Sequence, residues 1–296
     1  MAAVLSLHQP LANLQKDLAD LLAKAVNAAG DTDTAADTRV HDLRKRLKRA
    51  RAWALMLPPG LARPVLRELR DVHRSLAARR DLDATLEALH RLGTTARHDG
   101  RDRARQALQD VATDVRSRLQ GTGPALAGLD SASVRLNRLA DLLNANATNG
   151  DFADLAASVA GIASRSRRAM RRAFASGQPA DYHRWRKWMK YHAFHLRYLV
   201  PLWPELLRVE AATAEHCAAW LGESQDLELV RHALAGMADM PAARRNALLA
   251  LLDREQHHLL HQAASAGLHL HALSPRALEK RLCRYEEARL HRHAGN

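Results

Sequence analysis

Several things are scarce in this chain, and each scarcity excludes something. Its 296 residues contain two cysteines, Cys217 and Cys283, and no Cys-x-x-C motif. Isolated thiols point to a reducing compartment. Aromatic residues make up 4% of the chain, β-branched residues are few, and no run of them alternates with polar residues over a strand's length, so strands are not expected. No uncharged apolar run approaches the roughly 20 residues of a membrane span, and Met1–Leu22 lacks the basic start and apolar core of a signal peptide. A soluble cytoplasmic protein without membrane insertion is expected. There is no Gly-x-x-x-x-Gly-Lys phosphate loop and no His-Glu-x-x-His. No Ser-His-Asp or Cys-His set can be defended from the sequence.

What is abundant is alanine, leucine and positive charge. Hydrophobic residues account for 47% and charged residues for 26%, enough for one large or two ordinary folded domains. Ala and Leu favour helix. The net charge is +13 with every histidine neutral. A surplus of that size opposes compaction and recruits anions, so nucleic acid, anionic membrane and polyphosphate are the partner classes to weigh.

Turn residues cut the chain into helix-length pieces. They include Gly30-Asp31, Pro58-Pro59-Gly60, Gly121-Thr122-Gly123-Pro124, Gly177-Gln178-Pro179, Pro241 and Ser274-Pro275. Leu11, Leu14, Leu18, Leu21 and Leu22 recur at helical spacing, as do Leu248, Leu251, Leu252, Leu259 and Leu260. About ten to twelve helices in antiparallel bundles follow. The polar stretch Asn144–Gly150 marks a boundary, with Asp151 placed to cap the next helix. The expected fold is all-α. Two antiparallel bundles, residues 1–146 and 147–296, are related by an internal pseudo-two-fold repeat.

The repeat is written in two motifs. His41-x-x-Arg44-Lys45-x-x-Lys48 returns as His183-x-x-Arg186-Lys187-x-x-Lys190. Leu76-Ala-Ala-Arg-Arg80-Asp81-Leu82-Asp83 is matched by Leu221-Gly-Glu-Ser-Gln225-Asp226-Leu227-Glu228. Two motifs in one order at nearly one spacing imply duplicated architecture.

Positions i, i+3, i+4 and i+7 share a helix face. His41, Arg44, Lys45 and Lys48 therefore form one stripe, extended by Arg49 and Arg51, opposite Val40, Leu43, Leu47, Ala50 and Ala54. His183, Arg186, Lys187, Lys190 and Arg197 form the second, opposite Trp185, Met189 and Leu196. Arg165, Arg168 and Arg172 share a face of the preceding helix. No acid is expected on either motif face. Like charges at i,i+4 destabilise a helix by roughly 0.2–0.5 kcal/mol per pair, so a bound anion would relieve repulsion. The bland alternative is a solvated basic face, and the duplication argues against it.

These motifs resemble the CHAD family, named for conserved histidines in an α-helical domain. The likeness rests on Val40–Lys45 with Lys48, Arg49 and Arg51, on Arg80-Asp81-Leu82-Asp83, on the arginines between 165 and 172, on His183–Lys190, and on Leu221-Gly222 with Gln225-Asp226-Leu227. It spans about residues 8 to 290. Ala77 and Gln225 depart from the usual Gly and Arg. The resemblance implies two four-helix-type bundles and a basic central channel that binds inorganic polyphosphate, on polyphosphate granules with other granule proteins as partners. It assigns His41, Arg44, Lys45, Lys48, Arg49 and Arg51 to one wall, and His183, Arg186, Lys187 and Lys190, with Arg165, Arg168 and Arg172, to the other. The Glu-x-Glu-x-Lys of the hydrolase domain sometimes fused to this family does not occur. Neither an enzyme nor a cofactor is expected.

Other constellations have structural readings. Asp81 and Asp226 would cap the helices that follow them, or pair with the basic helices, rather than hold Mg²⁺. His257, His258 and His261 lack a third ligand and would be surface or partly buried residues. His269, His271, His291 and His293 would be exposed near the C-terminus. Trp185 would pack in the core, leaving the basic faces without aromatic platforms. Nucleic-acid binding is the alternative function and polyphosphate enzymology a third, the former weakened by those missing platforms.

Overall fold

The computed structural model describes residues 9–76, 80–98, 102–120, 128–146 and 148–294. Among them are eleven α-helices, one short 3₁₀ turn and no strand. The helices are α1 (Pro10–Gly30), α2 (Ala36–Ala54), α3 (Pro59–Ser75), α4 (Arg80–His98), α5 (Asp102–Gln120), α6 (Leu129–Ala145), α7 (Phe152–Ser176), α8 (Pro179–Leu199), α9 (Pro204–Ala235), α10 (Ala242–Leu270) and α11 (Pro275–Ala294).

The punctuation works as its chemistry requires. Proline opens α1, α3, α8 and α9, where no N–H is needed. Gly177 ends α7 with φ +63°, in the left-handed region. Asp151 caps α7 in a reciprocal box: it accepts from the Asp154 amide at 3.0 Å, and Asp154 accepts from the Asp151 amide at 3.2 Å.

α1 packs on α2 and α6, and α2 on α3; α7 packs on α8 and α11, and α8 on α9. The two halves also interlock. α2 packs on α8, α4 on α9, and α5 on α10. The apolar core therefore crosses the Asn146–Asp151 linker. One cluster joins Leu92, Leu108 and Val111 to Val230, Leu234 and Leu251. Another, larger one runs from Leu14 in α1 to Leu282 in α11.

The second motif pair falls in unlike surroundings. Leu76 follows the end of α3, whereas Leu221, Asp226 and Glu228 all lie inside the single long helix α9. Asp226 therefore does not cap its own helix. It accepts from Arg91 of α4 at 3.0 Å. Asp81 is the second residue of α4, in its first turn rather than ahead of it. The side chains of Arg80, Asp81 and Asp83 lie outside the described residues.

Candidate functional site

α2 and α8 meet near their C-terminal ends. There the His195 imidazole donates from Nε2 to the Ala52 carbonyl at 2.7 Å. Ala52, Ile162 and Tyr191 form a small apolar cluster, with Trp188 and Phe194 packed on it. Cations cover this seam. Arg49 Cζ stands 5.9 Å from the Phe194 ring centroid and Arg51 Cζ 6.0 Å from that of Tyr191. Arg165 Cζ and Lys187 Nζ stand 5.1 and 4.3 Å from the Trp188 centroid. Contacts of this kind are worth about 0.5–1 kcal/mol when exposed and more when desolvated.

The seam is electrostatically strained. Lys187 is exposed as a side chain, but its ammonium end is shielded against Trp188. Its pKa is held below the usual lysine range, first by desolvation and then by Arg51, Arg184, Arg165 and Arg70. Every charge in that set is positive, and they come from α2, α3, α7 and α8 together. From this crossing the two motifs run back along their helices. His41 is eleven residues before Ala52, about 16 Å at helical rise. His41 and Lys45 are exposed, and Lys48 and Lys190 half-buried.

Not every expected residue faces outward. Arg44 is 8% exposed and donates to the Leu76 carbonyl, satisfying the end of α3. Arg186 lies against Gly222 and donates to Gln225 at 3.2 Å. A Cβ at Gly222 would stand 2.8 Å from its guanidinium nitrogens. His183 Nδ1 is 3.1 Å from the same Gln225 Oε1. The two motif arginines therefore tie each basic helix to its neighbour. Arg172 is paired with Asp181 at 2.9 Å, and Arg168 donates to Ser164 at 2.8 Å while remaining exposed. Arg197 does not reach the seam, because its Nε donates to Glu215 of α9 at 3.0 Å. The α2 face is not free of acid either: Asp42 lies 3.8 Å from Lys45 Nζ.

Some cationic and aromatic residues near the seam went unread in the sequence. Arg63, Arg67, Arg70 and Arg74 are exposed at i, i+4, i+7 and i+11 on α3, a stripe as regular as the named motifs. Arg184 joins the Lys187 cluster. Trp188 and Tyr191 sit within the cationic seam, so the expectation of no aromatics beside the basic faces is overturned. Trp185 is fully buried as expected. His257, His258 and His261 are exposed, but His271 is 5% exposed, against expectation. His293 lies outside the described side chains. Among the described residues no group of three His, Cys, Asp or Glu side chains is set to hold a metal, and no helix is long and apolar enough to cross a membrane.

Comparison with known families matches residues 12–235 to the CHAD domain, well over half of the chain. No curated protein matches it.

Proposed function

Because the chain belongs to the CHAD domain family, we propose that it binds inorganic polyphosphate, without catalysing a reaction on it, along the cationic seam where α2 crosses α8. The carrying observation is the set of cations around Lys187: Arg51, Arg70, Arg165 and Arg184, from four helices, all raising the cost of its charge. A polyanion lying across the seam would remove that cost. Arg offers phosphate a planar fork and Lys a mobile point charge. Phosphate oxygens would replace water along Lys45 and Lys48 on one arm and Lys187 and Lys190 on the other.

The pairing of α2 with α8, α4 with α9 and α5 with α10 supports an approximate two-fold relation between halves. The contact Arg49–Phe194 becomes Ala52–Tyr191 when 142 is added to one number and subtracted from the other. A linear ligand could then meet similar groups from either direction. The protein is read as cytoplasmic and granule-associated.

A second reading has one observation in its favour. Trp188 and Tyr191 lie among the cations, as aromatic platforms do in single-strand binders. Against it, Trp188 already stacks with Lys187 and Arg165. Competition of long-chain polyphosphate against single- and double-stranded DNA at physiological salt separates the two. Displacement of polyphosphate by DNA would overturn the proposal. Phosphate release from the pure protein with Mg²⁺ would make it an enzyme instead.

A further inference from the structure

A second polar site lies on the other side of α8. His192 points away from His183 and Lys190, toward a cavity of about 140 Å³, open on one side, between α7, α8, α9, α10 and α11. Arg167, Thr213, His271 and Arg281 also line it. His192 is 2% exposed, and its Nδ1 has no hydrogen-bond partner. Arg281 donates to Glu210 at 2.7 Å, yet its Nε is buried without a partner. His271 is also buried; its Nε2 stands 3.1 Å from the Ser166 hydroxyl, and its ring stacks on His192 at 6.1 Å.

Buried polar atoms are normally satisfied, and unsatisfied ones call for an explanation. Here the two unsatisfied nitrogens belong to two residues, His192 and Arg281, that line one cavity together with a second arginine, Arg167, and one carboxylate, Glu210. Both histidines are disfavoured as cations. Burial pushes His192 well below the usual histidine range, with His271, His195 and Arg281 adding to it. Burial and Arg167 push His271 down to about 4. A metal cation would meet two guanidinium groups. A water would offer acceptor pairs but no countercharge. A small oxyanion offers both.

We propose that this cavity binds a small oxyanion, of the size of inorganic phosphate or a short carboxylate, with Arg167, His192, Thr213 and Arg281 as its donors. Val209 and Leu273, exposed at 63% and 44%, stand at its edge and suit a short apolar body attached to the anion. The site is independent of the polyphosphate reading: its residues share none with the seam, and its α11 wall lies beyond the residues matched to the family.

Isothermal titration of the full chain with inorganic phosphate, and separately with butyrate, at constant ionic strength tests this. Saturable one-to-one binding of either anion is expected. It should survive in Lys45→Ala/Lys187→Ala and weaken about tenfold or more in Arg167→Met. Thr213→Val serves as a second, uncharged probe and should weaken it less. Absence of saturable binding, or binding lost in Lys45→Ala/Lys187→Ala and kept in Arg167→Met, would overturn the proposal.

Discussion

The ammonium of Lys187 lies 4.3 Å from the centroid of the adjacent Trp188 ring, which also carries Arg165 at 5.1 Å. One indole thus holds cations from two helices over the α2–α8 seam. Trp188→Leu keeps an apolar filler and removes the ring. Polyphosphate affinity at physiological salt should fall about fivefold, from two exposed cation–π contacts, with helicity by circular dichroism unchanged. An unaltered affinity would show that the indole does not position these groups.

Neutralising Lys45, Lys48, Lys187 and Lys190 together should nearly abolish polyphosphate binding. By analogy with nucleic acids, the residual salt dependence should be shallower by about three units of log K per log salt. Arg197→Ala is the contrasting variant. Its charge is committed to Glu215 at an exposed site, so affinity should hold and stability change by about 1 kcal/mol or less. Fluorescence titrations at several salt concentrations read both.

Two glycines inside long helices should respond in opposite ways to alanine. At Gly267 a Cβ would stand 2.6 Å from Trp185 Cζ2 and 2.8 Å from Met170 Sδ, both buried. Overpacking there should cost about 1–3 kcal/mol. At Gly161 of α7 nothing lies within 4 Å, and alanine should stabilise by about 0.5–1 kcal/mol through helix propensity. Denaturant melts of the two variants check the signs.

Acid should destabilise the fold before its carboxylates are titrated. His192, His195 and His271 are buried, with pKa values pushed well below 6.5 for His192 and down to about 4 for the other two. The unfolded chain binds those protons below about pH 6.5 and the native chain does not. Stability is therefore intact above that pH and lost as pH falls toward 4, by up to about 1.4 kcal/mol per histidine per unit. Unfolding midpoints at pH 7.5 and 5.5 should differ clearly. His195→Gln keeps a donor for the Ala52 carbonyl and should flatten the slope.

Helices and turns were legible because their signals are local. Prolines at helix starts, the Asp151 box and the Leu stripes each act within a few residues. The duplicated motifs were legible for the same reason, and α2 and α8 do bury Leu43, Leu47, Trp185 and Met189. What escaped depends on partners distant in sequence. Arg44 looks like a member of a stripe until Leu76 presents a carbonyl to it, and Arg197 until Glu215 does so with a carboxylate. Spacing sent Trp185 to the core, but nothing local announces that Arg165 arrives over Trp188 from another helix. The α3 arginine stripe was readable by periodicity and was hidden only by having no copy in the second half. No local signal announces that α9 runs unbroken through the segment matching the α3–α4 junction.

The way α4 and α5 close a core with α9 and α10 has a consequence for how the chain can be divided. A cut within the linker before Asp151 would not release two modules. Each piece would carry an uncovered apolar side, Leu92 and Val111 on one and Val230 and Leu251 on the other. Such pieces are complementary fragments, expected to recombine when mixed.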